Sequence, residues 1–259
     1  MSLLLSIVSH HQGDLVFKLL QDLQRLCLSM DFKVIVTQNT PERLSFTKND
    51  FDFKLEIIEN PFPKGFAANH NAAFRSDFSE FFGVLNPDLR LVQNPFILLL
   101  PHLTDLRIGL VAPKIVDGMN KVEDSARLLP TPFRLFKRYW RGKRERRGDY
   151  IMGDQIFFPD WVAGIFLLFP SRVFGELNGF DERYFLYFED VDLCCRLRLA
   201  GYNIILDPWV SVVHNARRDS HTKIQYLSWH ILSGMRFFSS RVFGVTWLRQ
   251  AKQGDQKHL

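Results

Sequence analysis

The first 90 residues alternate between apolar runs and stretches of helical period, and this alternation restricts the fold more than any other feature of the chain. Leu3 to Val8 is an apolar run, the pattern of a strand buried on both faces. Leu15 to Leu28 then places apolar residues at 15, 16, 19, 20, 23 and 26, a helical period. Phe32 to Thr37, Leu55 to Ile58 and Phe81 to Leu85 read as further strands, with a helix opening at Gly65 and running to Phe74. Strand and helix in turn predict a mostly parallel central sheet flanked by helices, an α/β fold. Ile108 to Ala112 and Val162 to Phe169 add strands later, and Glu189 to Ala200 reads as a helix closed by Gly201. Beyond residue 220 the chain becomes a Phe- and Trp-rich helical tail.

Composition excludes several classes. With 46% hydrophobic and 24% charged residues over 259 positions, the chain is neither disordered nor fibrous. The longest uncharged apolar stretch considered, Trp161 to Ser171, has 11 residues and contains Pro170, whereas a membrane-spanning helix needs about 20. The N-terminus lacks a basic n-region and a small-residue cleavage site, and reads as a buried strand rather than a secretory signal. Cys27, Cys194 and Cys195 offer neither a disulfide framework nor zinc spacing, which fits a reducing cytosol.

Charge is unevenly placed. Arg134 to Arg147 holds eight Lys or Arg against one Glu, and Thr222 to Leu259 holds six against one Asp. The whole chain is only +5, so the remainder is acidic. Two basic segments on an acidic body point to an anionic surface or substrate at those segments.

Ligands of open parallel sheets bind beyond the carboxyl ends of the strands. Those ends here read Ser9-His10-His11, Gln38-Asn39-Thr40 and Asn86-Pro87-Asp88. The last tripeptide alone reads either as a turn or as a hard carboxylate suited to Mg²⁺ or Mn²⁺ holding a diphosphate. Further on, Glu189, Asp190 and Asp192 follow the aromatic run Phe185-Leu186-Tyr187-Phe188. The helix dipole and an ion pair with Arg196 account for Asp192. Apolar neighbours would desolvate Glu189 and Asp190 and raise their pKa toward that of a general base.

Five blocks in order carry a family resemblance. They are Asn60 to Asn71, Leu85 to Asp88, Asp160 to Gly164, Gly179 to Phe185, and Glu189 to Leu193 with Arg196, Gly201 and His214. Over about residues 3 to 221 the chain resembles the family 2 glycosyltransferases of the GT-A (Rossmann-like) fold, in their rhamnosyltransferase branch that builds bacterial surface polysaccharides such as O-antigen. The resemblance implies a nucleotide-sugar donor, dTDP-rhamnose in this branch, with Ser9, His10 and Asn39 at base and ribose. It places Gly65 and Asn71 close to the nucleotide, and Asn86 with Asp88 at the diphosphate. Asp88 and His214 would hold a divalent cation, Mg²⁺ or Mn²⁺. Asp190 would serve as catalytic base in an inverting transfer with Glu189 orienting acceptor or base, and Trp161 and Gly164 would line the acceptor or sugar pocket. The chain departs from the family at Gln38, where an Asp is usual before Asn39.

The implied layout is a transferase domain over 1–221, its nucleotide part about 1–90 and its acceptor part about 91–221, followed by an amphipathic extension over 222–259. The implied acceptor is a saccharide on a polyprenyl diphosphate, at the cytoplasmic face of the inner membrane. The basic segment and the aromatic tail would then meet an anionic membrane surface, with no nucleic acid expected. Two other readings compete: a nucleic-acid-binding module using the aromatic, basic segment 133–147, and a glycoside hydrolase with paired carboxylates.

Overall fold

Leu3, Leu5 and Ile7 pack on one face of strand β1 (Leu3–Ser9) and Leu4 on the other, so the first strand is buried on both sides. The computed structural model describes residues 2–135, 149–150, 153–215 and 224–255. Around β1 an eight-stranded sheet is built in the order β3-β2-β1-β4-β9-β6-β10-β5. Its strands are β2 (Phe32–Gln38), β3 (Lys54–Glu59), β4 (Phe81–Leu85), β5 (Leu89–Leu91), β6 (Ile108–Val116), β9 (Phe166–Pro170) and β10 (Asn203–His214). β7 (Ala126–Arg127) and β8 (Trp161–Val162) form a separate two-stranded ribbon. The first four strands in space are parallel, as are β6 and β10, whereas β9 and β5 run antiparallel to their neighbours.

Helix α1 (Gly13–Cys27) buries Val16, Leu19, Leu20, Leu23 and Cys27, a stripe at helical spacing, against one face of the sheet. The other face carries α2 (Phe66–Ser76), α4 (Ser171–Glu176) and α5 (Glu189–Leu199). The short α3 (Phe96–Leu99) covers the first face together with α1. Gly201 closes α5 at φ 92°, its N–H and that of Tyr202 bonding back to Arg198 and Leu197. The tail folds as α6 (Ile224–Phe238) and α7 (Arg241–Asp255), and Phe237 is fully buried in the same apolar cluster as Phe188 and Leu193. Among the described residues no helix is long and apolar enough to cross a membrane. The three cysteines are buried and free.

The apolar run Val162 to Phe169, expected as one strand, is two. Gly164 interrupts it because its N–H leaves the ladder to meet Asp190. The edge strand β5 has only three residues and was invisible to periodicity. It is fixed by a buried carboxylate: Asp22 of α1 accepts both Arg90 nitrogens (2.6 and 3.0 Å) and the Leu91 N–H (3.0 Å). Most of the basic segment, from residue 136 to 148, lies outside the described residues.

On the inner face of α2, His70 is buried with its Nδ1 2.8 Å from the Ser6 hydroxyl. Burial holds its pKa down at about 3, against 6.5 for an exposed imidazole. The unfolded chain therefore takes up a proton at His70 that the folded chain refuses. Stability falls as pH drops from 6.5 toward 3, by about 1.4 kcal/mol per pH unit from this group. Urea titrations from pH 7 to 4 are expected to show that slope reduced in His70→Gln.

Candidate active site

The carboxyl ends of β1, β2 and β4 lie side by side, and their ladder continues into the loops. The Asn39 N–H bonds to Ser9 C=O at 2.8 Å, and the Asn60 N–H to Gln38 C=O at 2.9 Å. Ser9 and His10 do stand at this edge. His10 is exposed, while the Ser9 hydroxyl donates to Glu42 at 2.5 Å. The other Glu42 oxygen takes the Gly13 N–H at the start of α1, beside a cleft of about 190 Å³ shared with His11 and Arg43. Gln38 donates to the Glu42 carbonyl at 2.7 Å, so an amide at this position holds the loop that carries Glu42.

Three residues expected at the nucleotide have other partners. Asn39 is buried, and its Oδ1 accepts from Asn60 Nδ2 (3.0 Å), Asn69 Nδ2 (3.0 Å) and the Lys64 N–H (2.8 Å). Its own amide donates to Lys64 C=O, so the whole side chain organises the 60–65 loop instead of facing a base. Asn71 points away from the strand ends. Its amide donates to Phe180 C=O at 2.8 Å and its oxygen accepts the Phe180 N–H at 2.9 Å. A Cβ on Gly179, at φ 65°, would lie 2.3 Å from that oxygen, which explains the glycine. Gly65 is excluded from carrying a side chain by protein rather than by ligand: its Cβ would meet the Phe185 carbonyl at 2.7 Å. The adjacent Phe66 N–H donates to the same carbonyl at 2.9 Å.

The Asn86 N–H donates to Ile165 C=O at 2.9 Å, and the Gly164 N–H donates to Asp190 at 3.0 Å. One short ribbon thus joins the Asn86-Pro87-Asp88 turn to the start of α5. A Cβ on Gly164 would touch Phe66 at 3.2 Å and Asp190 at 3.7 Å, so the missing side chain admits both. Trp161, expected as a sugar platform, is in the core at 8% exposure. Its indole N–H donates to Leu128 C=O, and the Arg127 guanidinium lies 5.2 Å from the ring centre, leaving no open face for a sugar.

The two acids at the start of α5 sit in different surroundings. Glu189 is 5% exposed, and its Oε2 has no hydrogen-bond partner among the described residues. Burial, then the charge of Asp190, pushes its carboxyl well above the ordinary range. Asp190 is half-buried and is also raised by desolvation, but the Gly164 and Val191 N–H groups and the Arg127 charge oppose that rise. Two adjacent carboxyl groups raised by burial, only one of them opposed by N–H donors and a guanidinium, form an unequal pair suited to proton transfer. Asp192 lies apart, paired with Arg196 at 2.7 Å, and Arg196 also caps the Leu177 and Gly179 carbonyls. The turn leading into α5 is strained: Tyr187 and Phe188 both have positive φ, 71° and 68°, at a cost of about 1–3 kcal/mol each.

Asp88 and His214 come together although 126 positions separate them in the chain. Asp88 Oδ2 is 3.3 Å from His214 Nε2, and Asp88 Oδ1 is buried with no partner among the described residues. His214 Nδ1 is bound by Glu123 at 2.7 Å, a residue that nothing in the sequence singled out. Burial disfavours the imidazolium, but the hydrogen bonds it donates to Asp88 and Glu123 outweigh this and lift His214 to about 9. A buried carboxylate oxygen without a partner, beside an imidazole nitrogen, is a donor set that fits a divalent cation. Among the described residues no third His, Cys, Asp or Glu completes a protein cage, so water and phosphate oxygens would fill the remaining positions. A cavity of about 880 Å³ between Phe78, Leu106 and Arg172 opens at the opposite end of the sheet from these groups.

The Asn71 clamp is testable by itself. Asn71→Ala leaves the buried Phe180 N–H unpaired and is expected to cost about 1–3 kcal/mol in urea unfolding.

No family model matches the chain. It is 28% identical over 247 residues to the rhamnosyltransferase WbbL of Escherichia coli (strain K12), covering 91% of this chain and 92% of that protein. It is 31% identical over 173 residues to the N-acetylglucosaminyl-diphospho-decaprenol L-rhamnosyltransferase of Mycobacterium tuberculosis, covering 59% of this chain and about half (54%) of that protein. Among solved structures, GalNAc-T7 with UDP, GalNAc and Mn²⁺ superposes with a TM-score of 0.67 at 12% identity, over 84% of this chain and 44% of that one. That superposition identifies the mixed, helix-flanked sheet as GT-A. The chain thus has the GT-A fold and is similar over nine-tenths of its length to a rhamnosyltransferase.

Proposed function

We propose that the enzyme moves L-rhamnose from dTDP-rhamnose, with inversion, to a lipid-linked saccharide acceptor. The observation that carries the chemistry is the Asn86–Ile165 and Gly164–Asp190 ribbon, which seats the Asp190 carboxyl next to the Asn86-Pro87-Asp88 turn. The sugar and the acceptor class are supported by the relatives, one named as a rhamnosyltransferase acting on a decaprenol-linked N-acetylglucosaminyl diphosphate.

In this reading the acceptor hydroxyl attacks the anomeric carbon and gives its proton to Asp190. The bond from that carbon to the diphosphate breaks as the new one forms, and the nucleoside diphosphate leaves with the electron pair. A single displacement of this kind inverts the centre. Glu189 orients the acceptor or the base, and Arg127 steadies the charge on Asp190. Asp88 and His214 would hold the divalent cation, Mg²⁺ or Mn²⁺, and Asn86 would lie beside it. When bound, the cation supplies positive charge against the charge growing on the diphosphate. Ser9 and His10, with Glu42, face the base and ribose end, where a carboxylate suits ribose hydroxyls. The nucleotide part spans about residues 1–90 and the acceptor part about 91–221. The apolar, arginine-bearing tail 222–259 then brings the enzyme to an anionic membrane surface on the cytoplasmic side, where a polyprenyl-diphosphate acceptor is presented. The kinship with transferases sets the hydrolase and nucleic-acid readings aside.

Asp190→Asn is expected to lower transfer by about 10²–10⁴-fold while leaving calorimetric binding of dTDP-rhamnose intact. Normal turnover in that variant would remove Asp190 as the base. Asp88→Ala is expected to abolish the metal-dependent part of donor binding. Glu123 fixes the ring of His214, so Glu123→Gln is expected to weaken Mn²⁺ binding by about 10–100-fold in the same titration.

A further inference from the structure

The turn over residues 183–188 delivers Glu189 and Asp190, and it is held from outside by the tail. Phe185 stacks on Trp229 with ring centres 4.7 Å apart, and Leu186 C=O accepts the Ser233 hydroxyl at 2.9 Å. The two residues at positive φ are covered in turn: Tyr187 by His230 (5.1 Å), and Phe188 by His230 (5.4 Å) and Phe237 (5.5 Å). Gly234 gives Phe188 its seat, since a Cβ there would be 3.4 Å from the ring. Arg236 donates to the Arg183 carbonyl. On its far side the same turn supports the donor loop through Phe66 and Gly65. One face of α6 therefore braces both the donor loop and the catalytic acids.

The opposite face of α6 has no partner among the described residues. Ile224, Leu227, Ile231 and Met235 recur three or four residues apart and are 52–86% exposed. Trp247 and Leu248 of α7 add to the exposed apolar surface. From Ile224 to Gln250 the chain has three arginines (236, 241 and 249) and no acid. A second copy of this tail would bring two segments of like net charge together. An anionic lipid surface offers both the apolar depth and the opposite charge.

We propose that α6 is a lipid-seated brace: docking of its outer stripe on an anionic lipid surface steadies the 183–188 turn and so couples membrane contact to assembly of the catalytic site. The inference rests on the transferase reading of Asp190 for its consequence, but its physical content is the coupling between the two faces of one helix. Such coupling is reciprocal, so a surface that steadies the turn is bound more tightly when the turn is already ordered.

The test is hydrogen exchange on the full chain with phosphatidylcholine vesicles, with and without phosphatidylglycerol. The phosphatidylglycerol vesicles are expected to bind the protein and to slow exchange at residues 183–191 by about tenfold. The variant Leu227→Ser/Ile231→Ser/Met235→Ser alters only exposed side chains, and is expected to lose both effects while keeping the unbound exchange pattern. Trp229→Ala is expected to bind vesicles and lose the slowing. Vesicle binding by the wild type with unchanged exchange at 183–191 would overturn the brace. Absence of binding, or equal binding to pure phosphatidylcholine, would overturn the anionic surface. No substrate enters the measurement, so these failures are distinct from failure of the Asp190 assignment, which only the turnover of Asp190→Asn reports.

Discussion

The hydrogen bond from the Gly164 N–H to Asp190 depends on one strand running against its neighbours. β9 lies between β4 and β6 and is antiparallel to both, so its leading end arrives where β4 finishes. Had β9 been parallel, its carboxyl end would lie there and the 161–165 segment would sit at the far edge of the sheet. The reversal puts Ile165 against Asn86 and Gly164 against α5, so the turn after β4 and an acid at the start of α5 share a few residues of backbone. The other reversed strand, β5, does similar work. Pinned by the Asp22–Arg90 pair, it pairs with the end of β10, matching Leu89 to His214 and so bringing Asp88 and His214 together.

Electrostatics then divides the site into two unlike centres. At α5 burial raises both carboxyl groups, and at Asp190 a few N–H groups and the Arg127 charge oppose that rise. At Asp88 and His214 the opposite holds: the imidazole is flanked by two carboxylates, and the surroundings favour positive charge. A nucleoside diphosphate sugar placed between them would meet a proton acceptor on one side and a cation-attracting pair on the other. That polarity is what a displacement at the anomeric carbon requires.

The sequence disclosed strands β1 to β4 to within a residue or so at each end, because each is an apolar run between turn formers. It also disclosed the pairing of Asp88 with His214, through the family pattern rather than any local rule. What it hid follows from how side chains are consumed. Asn39 and Asn71 look like ligand contacts in one dimension, but each amide is taken by backbone groups of a distant loop. Trp161 looks like a platform and is core, because β7 lays Arg127 over it. Glu123, Glu42 and Arg127 carry no signal of their own. They matter only through partners far away in the chain, His214 above all.

The contact of Gly65 with the Phe185 backbone has a consequence for how such an enzyme diversifies. The loop expected beside the sugar nucleotide and the turn that presents the acids touch with no side chain between them. Neither backbone has room to shift without displacing the other. Changes of donor preference must therefore come from side chains around a fixed frame, and lineages that alter the loop itself must alter residues 183–188 in the same step.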